Sequence, residues 1–124
     1  GLLDGVALPV VEIVPSGEAY DYAAKYERAD TRYVTSPSDL PAAVAAAAAD
    51  AARRAWAALG LRDLARADFM VDGDVPRLLE VNTMPGFTAR SLLPRAARAA
   101  GYDLPALARR LVELAATRAA VAGD

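Results

Sequence analysis

The chain contains no cysteine and no histidine among its 124 residues. Without thiols it can form neither a disulfide framework nor a thiolate metal site, and without imidazole it cannot use histidine-based zinc sites, serine–histidine triads or histidine acid–base chemistry. Any bound metal ion must therefore be held by oxygen atoms, which favours Mg²⁺, Mn²⁺ or Ca²⁺.

Long apolar runs and an excess of charge of one sign are also missing. The formal net charge is −2 and no basic patch stands out, so we expect no nucleic-acid partner. No apolar run reaches the ~20 residues that span a bilayer. The first residues lack the basic start and apolar core of a signal peptide, so we expect a cytoplasmic protein without membrane contact. There is no initiator Met, and we expect the chain to be part of a longer protein.

Lysine is nearly absent as well, since thirteen of the fourteen basic residues are Arg and one, Lys25, is Lys. An ammonium and a guanidinium are not interchangeable, which makes Lys25 a candidate for chemistry. It lies in residues 18–37, a charged stretch that holds four of the five tyrosines. This stretch has no clean period and predicts a long loop of the kind that often forms a lid. We expect residues 25–37 to be mobile without ligand.

What the sequence does contain predicts a single α+β domain, in which helices flank an antiparallel sheet. Ser38 and Asp103 are predicted helix N-caps, while Gly60 and Gly101 are predicted to end helices. The predicted strands are 6–14, 64–71 and 77–83, and the predicted helices are 39–59, 92–100 and 104–121.

The strands at 64–71 and 77–83 predict a hairpin with a five-residue loop. If Val71 pairs with Arg77, the numbers of paired residues sum to 148, and side chains alternate between the two faces. One face then carries four polar side chains, Arg66, Asp68, Glu80 and Asn82, with opposed Cβ atoms ~5 Å apart. The other face carries Phe69, Val71, Leu79 and Val81. A slip by one residue would separate the carboxylates.

Two carboxylates and an amide on one sheet face form an oxygen-rich cation site. Mg²⁺ accepts such ligands and keeps positions open for phosphate oxygens. The alternative is an ordinary solvated polar face, in which Arg66 pairs with an acid.

The segment after the second strand indicates an anion site. Gly86 allows a close backbone approach to a ligand, and the helix that follows presents free N–H groups at its start. A cation site beside such a turn is what phosphoryl transfer needs. The alternative is a plain Pro-Gly loop with a serine cap.

Residues 80–91, Glu-Val-Asn-Thr-Met-Pro-Gly-Phe-Thr-Ala-Arg-Ser, resemble the signature of D-alanine–D-alanine ligases, which belong to the ATP-grasp enzymes. Residues 8–15, 20–26 and 64–69 agree with the same family in order and spacing. The resemblance extends from about residue 6 to the C-terminus. Its long motif Glu-x-Asn-x-x-Pro-Gly-x-Thr is specific, whereas Glu-x-Asn alone would not be.

The resemblance implies a role for each residue of the polar face. Asp68, Glu80 and Asn82 match the ligands of two Mg²⁺ (or Mn²⁺) ions that bridge the ATP phosphates. Arg66 matches the arginine that stabilises charge on the reacting carboxylate oxygen. Gly86 matches the glycine whose N–H helps to hold the developing oxyanion.

The resemblance also implies substrate contacts. Ser91 and Leu92 match positions that bind the carboxylate of the second D-alanine. Lys25 matches a lysine that contacts the transferred phosphate, so Lys25 and Glu80 are the implied ATP-binding residues. Tyr26 matches a loop tyrosine near the second substrate and favours an amine acceptor.

The implied reaction makes D-alanyl-D-alanine for peptidoglycan precursor synthesis, through an acyl phosphate formed from ATP and one D-alanine. Residues 1–124 would be the C-terminal part of the ligase, without the N-terminal substrate domain and the central ATP-covering subdomain. We therefore expect this chain alone to be inactive. The resemblance also implies a homodimer for the full-length enzyme, because members of the family are commonly homodimers. Two alternatives stay open: an ATP-grasp ligase with another acceptor, such as a hydroxy acid or another amino acid, and a non-catalytic binding module.

Overall fold

The computed structural model describes residues 1–15 and 31–122. These residues form strands and helices in one α+β arrangement, which confirms the predicted fold class. Their order is β1 (Leu2–Leu3), β2 (Val6–Ala7), β3 (Val11–Val14), β4 (Arg32–Thr35), α1 (Ala42–Ala58), β5 (Leu64–Asp72), β6 (Val75–Asn82), α2 (Leu92–Ala99) and α3 (Leu104–Ala122). Within the described residues, none of the helices is long and apolar enough to cross a membrane.

Two antiparallel sheets replace the single predicted one. The larger has the strand order β2-β1-β5-β6, and the smaller pairs β3 with β4. The predicted strand at 6–14 is wrong as one element, because Val6–Ala7 pairs with β1 whereas Val11–Val14 pairs with β4. Pro9 lies between the two pieces, where it has no N–H to donate to a ladder.

Part of the predicted loop at 18–37 is also wrong. Arg32–Thr35 forms β4, which pairs with β3 from Val11↔Thr35 to Val14↔Arg32, so these four residues are a strand and not part of a loop. Their hydrogen-bonding partner is distant in sequence, and the local pattern therefore could not reveal the strand. Lys25 and Tyr26 fall in residues 16–30, outside the described part of the chain.

The first helix begins later than predicted, because Pro41 rather than Ser38 is its N-cap residue. A residue that precedes proline is disfavoured in the helical region, which excludes Leu40 from the helix. The Ser38 hydroxyl instead donates to the Asp39 carboxylate at 2.7 Å. The predicted Asp103 cap is confirmed, since its carboxylate accepts the N–H of Ala106 at 2.8 Å.

The larger sheet is a layer between two helical groups. Leu2 and Leu3 are adjacent in β1 and point to opposite faces. Leu2 packs with Ala52 of α1 and Ala65, and Leu3 packs with Leu93 of α2 and Leu107 of α3. In β5, Leu64 joins the cluster of α2 and α3, and Ala65 joins that of α1. By alternation, the even-numbered residues of β5 share their face with α2, which places Arg66 and Asp68 on that side.

The tip of the β5–β6 hairpin is tighter than predicted. Its loop is the two residues Gly73 and Asp74, because Asp72 pairs with Val75. Gly73 has φ +59°, and a glycine at the first loop position suits this kind of turn. The expected Val71–Arg77 pair is wrong, since Val71 pairs with Pro76. β6 is the edge strand of its sheet, a position that tolerates proline.

Candidate active site

A β-bulge restores the register that brings the two carboxylates together. Near the tip the paired residues include Phe69↔Leu78, and after a shift between Asp68 and Phe69 the ladder continues with Asp68↔Glu80. Leu79 is therefore the extra residue of β6. Bulges are common beside active sites, where they re-aim side chains.

The predicted pairs on the site side of the bulge are confirmed. Asp68 is opposite Glu80 and Arg66 is opposite Asn82. Of the apolar residues expected on the other face, Phe69 and Val81 pack against the Leu2 cluster as predicted. Val71 and Leu79 are exposed instead, because they lie at the tip and in the bulge.

Arg66 is the buried centre of the polar face. Its Nε and Nη2 atoms donate to the Asp68 carboxylate oxygens at 2.7 and 2.9 Å, and Nη2 lies 3.9 Å from Glu80 Oε1. The side chains of Arg66, Asp68 and Glu80 are 11%, 26% and 58% exposed. The ion pair expected for a solvated polar face is thus present. Its arginine is buried, however, and the two carboxylates lie on the solvent side of it.

Asn82 ends β6 and orders the segment that follows. Its side-chain oxygen accepts the N–H of Met84 at 2.9 Å, a local turn in which the amide replaces a backbone acceptor. The amide oxygen therefore has a fixed direction at the end of the same sheet face.

The next turn, Gly86–Ser91, surrounds a serine hydroxyl. The Ser91 Oγ atom accepts the N–H of Thr88 at 3.1 Å and lies 2.9 Å from Thr88 Oγ1. The N–H of Ser91 donates to the Thr88 carbonyl at 3.0 Å. A Cβ on residue 86 would lie 2.9 Å from Ser91 Oγ, closer than real Cβ atoms come. Any larger residue here would therefore displace the Ser91 hydroxyl from its present position.

Ser91 begins α2 without capping it. It occupies the N-cap position, but its side chain makes no cap hydrogen bond, because the hydroxyl is engaged by Thr88. The serine cap of the alternative interpretation is therefore not formed. The first N–H groups of α2, at Leu92 and Leu93, are not taken by the serine, and N–H groups in this position attract anions.

The donor set fits Mg²⁺ or Mn²⁺ completed by a phosphate-bearing ligand. Within residues 1–15 and 31–122, no group of three or more Asp, Glu, His or Cys side chains could form a metal cage. Asp68 and Glu80 supply two carboxylates and Asn82 an amide oxygen. Mg²⁺ sites typically combine one or two carboxylates with substrate phosphates, which matches this set of oxygen donors.

The chain start lies against the same face. In the isolated 124-residue polypeptide, burial lowers the pKa of the Gly1 amino group from 8.0 to about 6. The Asp68 carboxylate opposes this shift, and the Arg66 guanidinium adds to it. The dominant effect is desolvation, which disfavours a charged amine.

The structure thus brings the predicted site residues together in two groups, Arg66 with Asp68 and Glu80, and Gly86 with Ser91. The sequence pattern gave no role to Thr88. Its position three residues before Ser91 could have indicated that the two residues close one turn. The pattern also gave no role to Arg95, one helical turn after Ser91. The Arg95 side chain contacts Arg90 in the turn and Tyr33 in β4. Its partner Tyr33 carried no local signal, because it is distant in sequence.

A model of a protein family described as the D-ala D-ala ligase C-terminus matches residues 2–113. The chain is 50% identical to a D-alanine–D-alanine ligase of Gloeobacter violaceus, over 90% of this chain and 37% of that protein. It is 45% identical to an Anaeromyxobacter D-alanine–D-alanine ligase, over 95% of this chain and 38% of the relative.

A solved structure is similar as well. The crystal structure of D-alanine–D-alanine ligase from Bacillus anthracis complexed with ATP superposes with a TM-score of 0.75 and 37% identity. The match covers 91% of this chain and 37% of that one. The chain therefore spans little more than a third of the length of the relatives that it matches.

Proposed function

Since the chain belongs to the family of D-alanine–D-alanine ligases, we propose that it is the C-terminal catalytic part of an enzyme that joins two D-alanines at the expense of ATP. The observation that carries this proposal is the bulged hairpin. It sets Asp68 opposite Glu80 on the sheet face shared with α2, and Glu80 is the first residue of the segment that resembles the family signature. The product would serve peptidoglycan precursor synthesis in the cytoplasm.

Arg66 is suited to stabilise negative charge that develops on the reacting carboxylate of the first D-alanine. Asp68 holds its guanidinium by two hydrogen bonds, so the donor is oriented before the reaction begins. The Gly86 N–H would contribute a second donor to the same oxyanion. Preorganised donors of this kind typically contribute ~10²–10³ in rate each.

Asp68, Glu80 and Asn82 would hold two Mg²⁺ or Mn²⁺ ions beside the phosphates of ATP. When bound, the ions would neutralise phosphate charge during transfer. Glu80 is the more exposed of the two carboxylates, so a ligand can reach it from solvent. Lys25, which lies outside the described residues, would contact the transferred phosphate.

The start of α2 is the proposed place for the carboxylate of the second D-alanine. The Ser91 hydroxyl and the N–H of Leu92 would bind it there, assisted by the positive end of the helix dipole. Tyr26 would lie close to this acceptor and favours an amine over a hydroxyl nucleophile.

The proposed reaction has two displacements. An oxygen of the first D-alanine carboxylate attacks the γ-phosphorus of ATP, and ADP leaves. The neutral amine of the second D-alanine then attacks the acyl carbon, loses a proton, and phosphate leaves as the peptide bond forms. Arg66 and Gly86 contribute in the second step by stabilising the tetrahedral oxyanion.

The remaining parts of the ligase, which make up almost two thirds of its relatives' length, would supply the first substrate's amine contact and the cover over ATP. We therefore propose that residues 1–124 alone are inactive. The homodimer of the full-length enzyme is proposed only from the resemblance to the family.

Product analysis tests the proposal. The full-length ligase that carries this chain is incubated with ATP, Mg²⁺ and D-alanine, and D-alanyl-D-alanine is quantified beside the 124-residue polypeptide. We expect dipeptide from the full-length protein, a loss of at least 100-fold in Asp68→Asn, and near-normal synthesis in Asp72→Asn, whose carboxylate lies at the exposed hairpin tip. Dipeptide synthesis by the short polypeptide would contradict its inactivity. If product forms only when a hydroxy acid is added as the acceptor, the proposed acceptor D-alanine would be wrong.

A further inference from the structure

Arg95 contacts two parts of the molecule that flank the proposed acceptor site. Its Nε atom donates to the carbonyl oxygen of Arg90 at 2.9 Å. Its guanidinium carbon lies 5.0 Å from the centroid of the Tyr33 ring, within the range of a cation–π interaction. One half-buried side chain thus links β4 to the residue that precedes Ser91.

These contacts fix the backbone on both sides of the serine. The Arg95 side chain holds the carbonyl of Arg90, and the Arg95 N–H donates to the carbonyl of Ser91 at 3.1 Å. The turn is closed from its other end by Thr88, through the bonds to the Ser91 hydroxyl and N–H. Loss of the Arg95 side chain would leave the Arg90 carbonyl without its donor.

The position of Arg95 near the start of α2 is electrostatically unfavourable unless an anion binds there. It is the fourth residue of α2, and a cation in the first turns of a helix is disfavoured by the helix dipole. A bound carboxylate at the same end reverses this effect, because it is attracted by both the dipole and the guanidinium. Tyr33 belongs to β4, which pairs with β3 along its whole length. The paired strand holds the Tyr33 ring in place beneath the Arg95 guanidinium.

We propose that Arg95 is a positioning residue, which holds Ser91 and Leu92 in the geometry that receives the carboxylate of the acceptor D-alanine. This inference rests on the proposed function. Arg95 acts through the Thr88–Ser91 turn and through its field, without touching the substrate.

Steady-state kinetics of the full-length ligase separates this role from a general structural one. In Arg95→Met, we expect KM for the acceptor D-alanine to rise about tenfold, with kcat and the KM for ATP within about twofold of the parent. Tyr33→Leu should follow in the same direction, and Tyr33→Phe, which keeps the ring, should restore parent behaviour. The matched control is Arg98→Met, on the exposed side of the same helix, which should change none of these constants. A fall in kcat with both KM values unchanged, or an equal effect of Arg98→Met, would overturn the proposal.

Amide hydrogen exchange gives a readout that does not depend on the reaction. The Thr88 and Ser91 N–H groups close the turn, so they should exchange about tenfold faster in Arg95→Met than in the parent or in Arg98→Met. Unchanged exchange at both amides would refute the positioning role even in a protein that makes no dipeptide. Faster exchange in such a protein would uphold the role of Arg95 in the turn and reject the proposed function separately.

Discussion

Removing the Arg66 guanidinium should leave the Asp68 carboxylate without its partner in a largely buried site. Breaking a fully buried ion pair from one side costs ~3–5 kcal/mol. The Asp68 side chain is 26% exposed, and water would offset part of this loss. We therefore expect Arg66→Met to lower the free energy of unfolding by about 3 kcal/mol.

A double-mutant cycle with Asp68→Asn isolates the pair itself. Its two charge-assisted hydrogen bonds should give a coupling free energy of about 2 kcal/mol. The same hairpin provides a matched control, since Arg77 and Asp72 form a pair whose side chains are 64% and 70% exposed. An exposed pair is typically worth ~0.2–1 kcal/mol, so the cycle of Arg77→Met with Asp72→Asn should give a much smaller coupling.

Urea unfolding of the 124-residue polypeptide measures both cycles. Its one tryptophan, Trp56, packs against the Leu2 and Ala65 cluster and reports on the sheet that carries both pairs. If the two coupling free energies were equal, or if that of Arg66 with Asp68 were below about 0.5 kcal/mol, burial would not be what makes the inner pair strong.

Two further predictions concern the turn and the chain start. Gly86→Ala should displace the Ser91 hydroxyl, because the new Cβ would lie 2.9 Å from it; acceptor KM should rise about tenfold, by roughly the value of one lost hydrogen bond, whereas an unchanged KM would refute the close packing. The buried Gly1 amine has its pKa lowered to about 6, so the folded state holds it neutral while the unfolded chain protonates below pH 8. Stability of the free-amine polypeptide should therefore fall by about 2 kcal/mol from pH 8 to pH 6, and N-terminal acetylation should abolish that slope in urea titrations.

Hydrophobic alternation was enough to predict that Asp68 and Glu80 lie on one face of the hairpin, but it did not determine which residues pair. The bulge was not predictable, and two errors offset each other. The assumed five-residue loop gave the wrong pairs at the tip, and the extra residue Leu79 restored the assumed register beyond it. A bulge depends on packing across the whole sheet, which a single strand pattern does not encode.

Short paired strands were the other failure of the sequence pattern. Leu2–Leu3 and Arg32–Thr35 are too short for any period to show. The Asp4-Gly5 pair, with φ values of 51° and 78°, was a usable signal for the first hairpin, since such dipeptides favour two-residue turns. The contact of Arg95 with Tyr33 joins segments 62 positions apart and could be found only in three dimensions.

The central claim is that the carboxylates of the bulged hairpin hold the metal that binds ATP. Calorimetric titration of ATP into the full-length ligase, with and without Mg²⁺, tests it most directly. We predict that Glu80→Gln weakens Mg²⁺-dependent ATP binding at least tenfold, while Asp74→Asn in the hairpin loop leaves it unchanged. ATP binding by Glu80→Gln with the Mg²⁺ dependence and affinity of the parent would contradict the account.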